Sequence, residues 1–177
     1  QELDIILISI QDGEVIRNVT PGFSQDHGYE YISIPGARWT TVPWMSWSPN
    51  GDNLAYFVRK GKHKTLIVRN VLTRRIEQRF DMQMVDAPES PAFSPNSQQI
   101  AFSALENAIG DIYILDLNSG NVRNVTNDNF AAYAPTFSPD GSSLVYLARV
   151  NGNNKVFQLD LGTGEKTQLT FGAHDET

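Results

Sequence analysis

The stretch "FSPDG", Phe137 to Gly141, decides the fold, because the chain writes it three times. "FSPNS", Phe93 to Ser97, begins 44 residues earlier, and "WSPNG", Trp47 to Gly51, begins 46 before that. The residues are those of a tight turn. Proline presets φ at about −65° for the first central position, Asp or Asn suits the second, and glycine accepts the positive φ that comes next. The serine can hydrogen-bond forward to the turn backbone.

The segments downstream of each turn repeat as well. "LVYLA" (144–148), "VFQLDL" (156–161) and "GTGEKTQLT" (162–170) come after the third copy. "IAFSA" (100–104), "DIYILDL" (111–117) and "NSGNVRNVT" (118–126) come after the second, and "LAYFV" (54–58), "LIVRNV" (66–71) and "TRRIEQRF" (73–80) after the first. The N-terminal "DIILISIQDGEVIRNVT" (4–20) matches 111–126 with one inserted residue. Each segment is short, rich in β-branched and aromatic residues, apolar at alternate positions and bounded by turn residues, so each reads as a half-buried strand. No segment offers a helical period. A four-stranded antiparallel unit repeating every 40 to 50 residues or so is the signature of a β-propeller blade. The expected fold class is all-β, a partial propeller of about three and a half four-stranded blades. A half blade is expected at 4–20, an irregular connection at 21–44, and whole blades at 45–80, 89–126 and 133–170.

Composition agrees with a folded domain. Of the 177 residues, 40% are hydrophobic and 10% aromatic, which is too apolar for a disordered chain. No apolar run is long enough to span a membrane as a helix. A net charge of −6 argues against general nucleic-acid binding, and without cysteine there is no disulfide or thiolate metal site.

The repeat resembles that of the TolB-like propellers, which are related to the WD-repeat propellers. Their "PxFSPDG", "IAF", "DIYxxDL" and "xxLT" segments correspond to 135–141, 100–102, 111–117 and 167–170 here. Two departures stand out. Met45 takes the place of the proline before the first motif, and Ser97 the last glycine of the second; either could loosen a turn or a blade junction. Propellers of this type have six or seven blades, so the resemblance implies further blades from a longer chain. It also implies a periplasmic or cell-envelope setting and binding of a protein or peptide partner rather than catalysis. Prolyl oligopeptidase-like and tricorn-like peptidases carry similar propellers that gate a separate catalytic domain, which would lie outside this chain. Oligogalacturonate lyases use a TolB-like propeller with a His-rich metal site.

In an up-and-down blade the turns after the first and third strands share one face, and those after the second and fourth share the other. The first face carries the Ser-Pro-Asp-Gly turns, too tight to shape a pocket. Longer connections, and therefore function, are expected on the second. The three histidines, His27, His63 and His174, fall there, with Asp175 and Glu176 beside the last. They could ligate a divalent metal, but their spacings follow no ligand motif, and solvated loop residues are the simpler reading. No catalytic residue and no cofactor is expected. Ser48, Ser94 and Ser138 recur as turn residues, and no Gly-x-Ser-x-Gly elbow is present. Asn18-Val19-Thr20 and Asn124-Val125-Thr126 read as parts of strands rather than glycosylation sites. Between Arg59 and Arg79 stand eight basic residues against the single acid Glu77. That segment is either a solvated blade edge or a docking patch for an acidic partner. Trp39 and Trp44, near Tyr29 and Tyr31, are candidate anchors for a partner; Trp47 is expected in the core. The candidate partner-binding residues are Trp39, Trp44, His63, His174, Asp175 and Glu176.

Overall fold

The computed structural model describes residues 4–23, 28–33, 43–106 and 108–176. Among them, no helix occurs between Trp47 and Thr170. The chain opens with a two-stranded sheet, β1 (Ile6–Ile8) and β2 (Val15–Asn18). Blade 1 comes next: β3 (Glu30–Tyr31), β4 (Met45–Trp47), β5 (Asn53–Lys60), β6 (His63–Asn70) and β7 (Ile76–Asp81). Blade 2 is β8 (Asp86–Phe93), β9 (Gln99–Glu106), β10 (Ile109–Asp116) and β11 (Val122–Asn124). Blade 3 is β12 (Ala132–Phe137), β13 (Ser143–Val150), β14 (Asn153–Asp160) and β15 (Lys166–Gln168). Every pairing is antiparallel, and strands succeed one another in sequence order across each blade.

Blade 1 shows what becomes of the irregular connection. β3 and β4 both pair with β5, Tyr31 opposite Val58 and Met45 opposite Tyr56. Ile32 N donates to Phe57 O between them, and Ser33 bridges Pro43. Two separate pieces of chain thus share the position of one first strand. First strands of successive blades pack on one another, β4 on β8 and β8 on β12, so they lie nearest a common axis. Phe93 N donates to Ser46 Oγ across the first of these junctions at 3.2 Å.

All three Ser-Pro turns have one geometry. The serine hydroxyl donates to the Asn or Asp side chain two residues on, at 2.6, 2.7 and 2.6 Å for Ser48, Ser94 and Ser138. It accepts from the backbone N–H five residues on, at Asn53, Gln99 and Ser143. Gly51 and Gly141 take φ of 79° and 74°. Ser97 takes 57° in the same role, so the second turn is not loosened; it holds a side chain in the left-handed region instead. That conformation costs about 1–2 kcal/mol, partly offset in a glycine by its extra freedom when unfolded. Ser97→Gly is therefore expected to raise stability by about 0.5–1 kcal/mol, read as a higher urea midpoint at unchanged m.

Alternating apolar positions of each blade face the blade before and the blade after. Leu54, Tyr56 and Val58 pack with Val19 and Tyr31 against the two-stranded sheet. Ala55 and Phe57 meet Ile100, Phe102 and Tyr113 between blades 1 and 2. Ala101, Ile112 and Ile114 meet Leu144, Tyr146 and Ala148 between blades 2 and 3. Trp47 corrects an expectation: it is 45% exposed, whereas Phe93 in the same register is 9% exposed. Phe93 packs toward the blade before it, and among the described residues the sheet before blade 1 has two strands, which pack on Leu54 and Tyr56 and not on Trp47.

The two "NVT" segments tie the last strand of the N-terminal sheet and of blade 2 to the strand before it. Thr126 Oγ1 donates to Asp111 Oδ1 at 2.7 Å and accepts from Ile112 N at 2.9 Å, while Asn124 Nδ2 donates to Asp111 Oδ2 at 3.0 Å. Two of these bonds recur at the N-terminus, where Asn18 Nδ2 donates to Asp4 Oδ2 at 2.7 Å and Ile5 N to Thr20 Oγ1 at 2.7 Å, while Tyr31 Oη donates to Thr20 Oγ1 at 2.9 Å. Both threonines are buried. Their repetition is structural, and each asparagine amide is already engaged.

Candidate binding face

The two ends of the blades differ in how their polar groups are used. At one end lie the turns after first and third strands, and these satisfy themselves. Asp116 Oδ1 accepts from Asn118 N, Ser119 N and Ser119 Oγ. Asp160 Oδ1 and Asn70 Oδ1 do the same for their own turns. Bonds from Ser138 and from Ser142 hold the Asp140 carboxyl down at about 2. Each of these carboxylates serves its own turn through Oδ1.

The other end departs from the sequence reading in one respect. Its turns after second strands are not long: Lys60 and His63 are joined by two residues, as are Glu106 and Ile109, and Val150 and Asn153. Hairpins in which the strands pair to their ends need no more than two residues. Among the described residues the connections after fourth strands are longer than these, four residues at 82–85 and seven at 125–131. The concavity at this end comes instead from irregular first strands. Ser90 and Pro91 lie opposite one residue between the pairs Glu89–Ser103 and Ala92–Ala101. Ala134 and Pro135 do so between Tyr133–Leu147 and Thr136–Val145. A further irregularity lies between Asp86 and Glu89. Bulges bend a strand and re-aim its side chains.

A cavity of about 350 Å³ opens where blades 2 and 3 meet at this end. Glu89 and Tyr133 both line it, and they occupy the same register in adjacent first strands. Alanines, Leu105 and Gly110 supply much of the remaining wall. A Cβ on Gly110 would lie 3.2 Å from the Ala132 carbonyl oxygen, so glycine lets the two blades approach there. Burial pushes the Glu89 carboxyl above the usual carboxylate value, opposed by the Ser103 hydroxyl. Ala87, Ser90, Ala108 and Ala134 hold φ of 42°, 49°, 67° and 52° around the site. Non-glycine residues in that region store about 1–2 kcal/mol each.

Among the described residues, those expected from sequence do not line this cavity. His63 opens β6 and is exposed. Trp44 is half-buried, and its backbone N–H donates to Ile32 O at 3.2 Å, tying the two parts of the split strand. His174, Asp175 and Glu176 are drawn back onto blade 3. Lys155, 3% exposed, donates to the His174 carbonyl and lies 3.5 Å from Glu176 Oε1, while Asp175 Oδ1 accepts from Asn154 N. Lys155 stands where Asp111 stands in blade 2, so a cation with acceptors from the segment after β15 replaces the carboxylate with donors from the fourth strand. His27 and Trp39 lie outside the described residues. Among the described residues no group of three His, Cys, Asp or Glu could hold a metal ion.

The basic segment of blade 1 divides between its ends. Lys60, Lys62 and Lys64 gather at the β5–β6 turn with Arg59, which pairs with Glu30 at 3.0 Å; Lys64 pairs with Asp86 at 2.7 Å. Arg69 lies toward the other end, bonded to Tyr56 Oη and the Arg74 carbonyl. Glu89 and Tyr133 were missed in the sequence. The available signal was position: each stands two residues before the proline of "PxFSP".

Antiparallel four-stranded meanders whose first strands pack around one axis define a β-propeller. Residues 37–177 match the family model described as TolB beta propeller domain, and the chain belongs to that family. No curated protein sequence matches it. Solved structures resemble it. TolB from Acinetobacter baumannii is 24% identical with a TM-score of 0.61, over 75% of this chain and 33% of that one. The propeller domain of the trilobed protease from Pyrococcus furiosus is 13% identical with a TM-score of 0.53, over 72% and 43%. The Pyrococcus horikoshii acylaminoacyl peptidase is 14% identical with a TM-score of 0.53, over 75% and 25%. The chain thus spans about a third of the length of the Acinetobacter TolB it matches. No helix among the described residues is long and apolar enough to cross a membrane.

Proposed function

We propose that this chain is part of a non-catalytic propeller that binds a protein or peptide on the face bearing the second-strand turns and fourth-strand connections. The observation that carries the reading is the cavity of about 350 Å³ between blades 2 and 3, with its half-buried carboxylate and largely apolar wall. The recurring serines support a role without catalysis, since each is bonded within its turn. Membership of the TolB propeller family supports a periplasmic or cell-envelope setting. A second reading rests on the likeness to propellers of Pyrococcus peptidases: the same face would gate a catalytic domain outside these residues. The lyase reading gains no support from the placement of His63 and His174.

Two sets of exposed substitutions test the face. One is Lys62→Glu with Asn129→Lys; the other, at the opposite end, is Asn118→Lys with Glu165→Lys. Partner recovery from cell-envelope extracts is expected to fall about tenfold with the first set and less than twofold with the second, at equal melting temperature. The reverse pattern would put the interface on the opposite face and overturn the reading.

A further inference from the structure

Among the described residues, Glu89 is the one carboxylate lining the cavity between blades 2 and 3. The ion pairs of the described residues lie elsewhere, at Arg59–Glu30, Lys64–Asp86, Lys155–Glu176 and Lys166–Asp128. Glu89 has no basic side chain within ion-pair distance among the described residues. A half-buried carboxylate without a cation is costly, and proteins keep such groups where a ligand supplies the missing charge. Around it the wall is apolar: Ala87, Ala104, Ala108, Ala132 and Leu105 present methyl groups and no charge. Bulges on both sides of Glu89, with Ala87 and Ser90 at positive φ, fix the strand segment that carries it. The bulge at Ser90–Pro91 recurs at Ala134–Pro135 and belongs to the repeat, whereas the irregularity at Ala87 has no counterpart in the pairing of β12 with β13. Ser103, 2% exposed, lies opposite Glu89 and also lines the cavity.

We propose that this cavity receives the side chain of a lysine from the partner, its ammonium on Glu89 and Ser103 and its methylene stem along the alanine wall. The proposal rests on the binding face argued above and names the chemistry that face recognises. A cation is required because an apolar guest would complete the desolvation of Glu89 without compensating its charge. Lysine suits the site better than arginine. Its ammonium is a compact charge that one carboxylate and one hydroxyl can serve, whereas a planar guanidinium has five donors in a fixed fork. The unbranched stem matches a wall of methyl groups.

The test uses the full-length protein with alanine methyl groups labelled for NMR, titrated with N-acetyl-lysine methylamide. The norleucine derivative supplies the same stem without charge, and the arginine derivative a planar cation. Saturable shifts of the Ala104 and Ala132 methyl signals are expected with lysine. Affinity at least about tenfold weaker is expected for norleucine and for the Glu89→Gln protein, and weaker binding for arginine. Glu89→Gln should melt at the same temperature or higher, since it removes a desolvated charge. Equal binding of norleucine, tighter binding of arginine, no methyl shift with lysine, or a marked fall in melting temperature on Glu89→Gln would each overturn the proposal. If lysine fails to bind while Lys62→Glu with Asn129→Lys still abolishes partner recovery, the pocket is wrong and the face is right. If both fail, the face reading falls as well.

Discussion

Phe102→Ala is expected to destabilise the protein by about 3–5 kcal/mol, the range for deleting a fully buried aromatic ring. Phe102 has no exposed surface and stands between two blades. Its ring centroid lies 5.6 Å from Phe57 of blade 1, edge to face, and 5.6 Å from Tyr113 of its own blade, stacked. Truncation removes both ring contacts and leaves a void whose walls are two hydrogen-bonded sheets. Continuous ladders on both sides, β5–β6 and β9–β10, prevent those walls from closing in. The loss should appear as a lower urea midpoint. Phe102→Leu, which fills part of the void, should recover more than half of it. A loss below about 1.5 kcal/mol for alanine would mean that blades 1 and 2 do not share a packed core.

Asp111→Ala is expected to cost about 2–3 kcal/mol, the magnitude for removing a charged acceptor from buried donors. Thr126 Oγ1 and Asn124 Nδ2 both donate to this carboxylate, and Asp111 is 5% exposed. Once it is gone, the asparagine retains a bond to Tyr113 Oη at a long 3.4 Å, and the threonine hydroxyl loses its acceptor. Asp111→Asn keeps one acceptor oxygen and should cost less. If alanine and asparagine cost the same, the carboxylate is not what joins the third strand to the fourth. Fraying of β11, read by amide exchange at Val122 to Asn124, should accompany the alanine change, since that strand has three residues and one neighbour.

Much of this fold was legible because a blade is specified locally. The Ser-Pro turn, the alternation of strands such as "IAF" and "DIYILDL", and the Asn-x-Thr close act within about 30 residues of one another, and repetition made each visible more than once. Ser97 shows the limit in a turn: the sequence suggested a looser hairpin, yet the bonds of Ser94 impose the same conformation on a residue that resists it. Trp47 shows the limit in the core. Its register matches Phe93, but exposure depends on the sheet before blade 1, a contact between segments that no local pattern records. The split first strand of blade 1 was illegible for a similar reason, since Tyr31 and Met45 become neighbours only by pairing with β5.

Sites were harder to read than strands. Histidines and tryptophans attracted notice as residue types, whereas Asp175 and Glu176 turned out to serve Asn154 and Lys155 of their own blade. Glu89 drew no notice because one glutamate in a strand is ordinary. Its meaning comes from two bulges and from the neighbouring blade that brings Tyr133 to the same cavity.

The central claim is that the working surface is the end with the second-strand turns. Photo-crosslinking in the living source cell tests it directly, with a benzophenone amino acid placed singly at Lys62, Ala108 and Asn129 on that end and at Asn118, Ser119 and Thr163 on the other. Each of these positions is exposed. A discrete crosslinked species from the first three positions and none from the last three is the predicted result. Crosslinks confined to Asn118, Ser119 and Thr163 would contradict it.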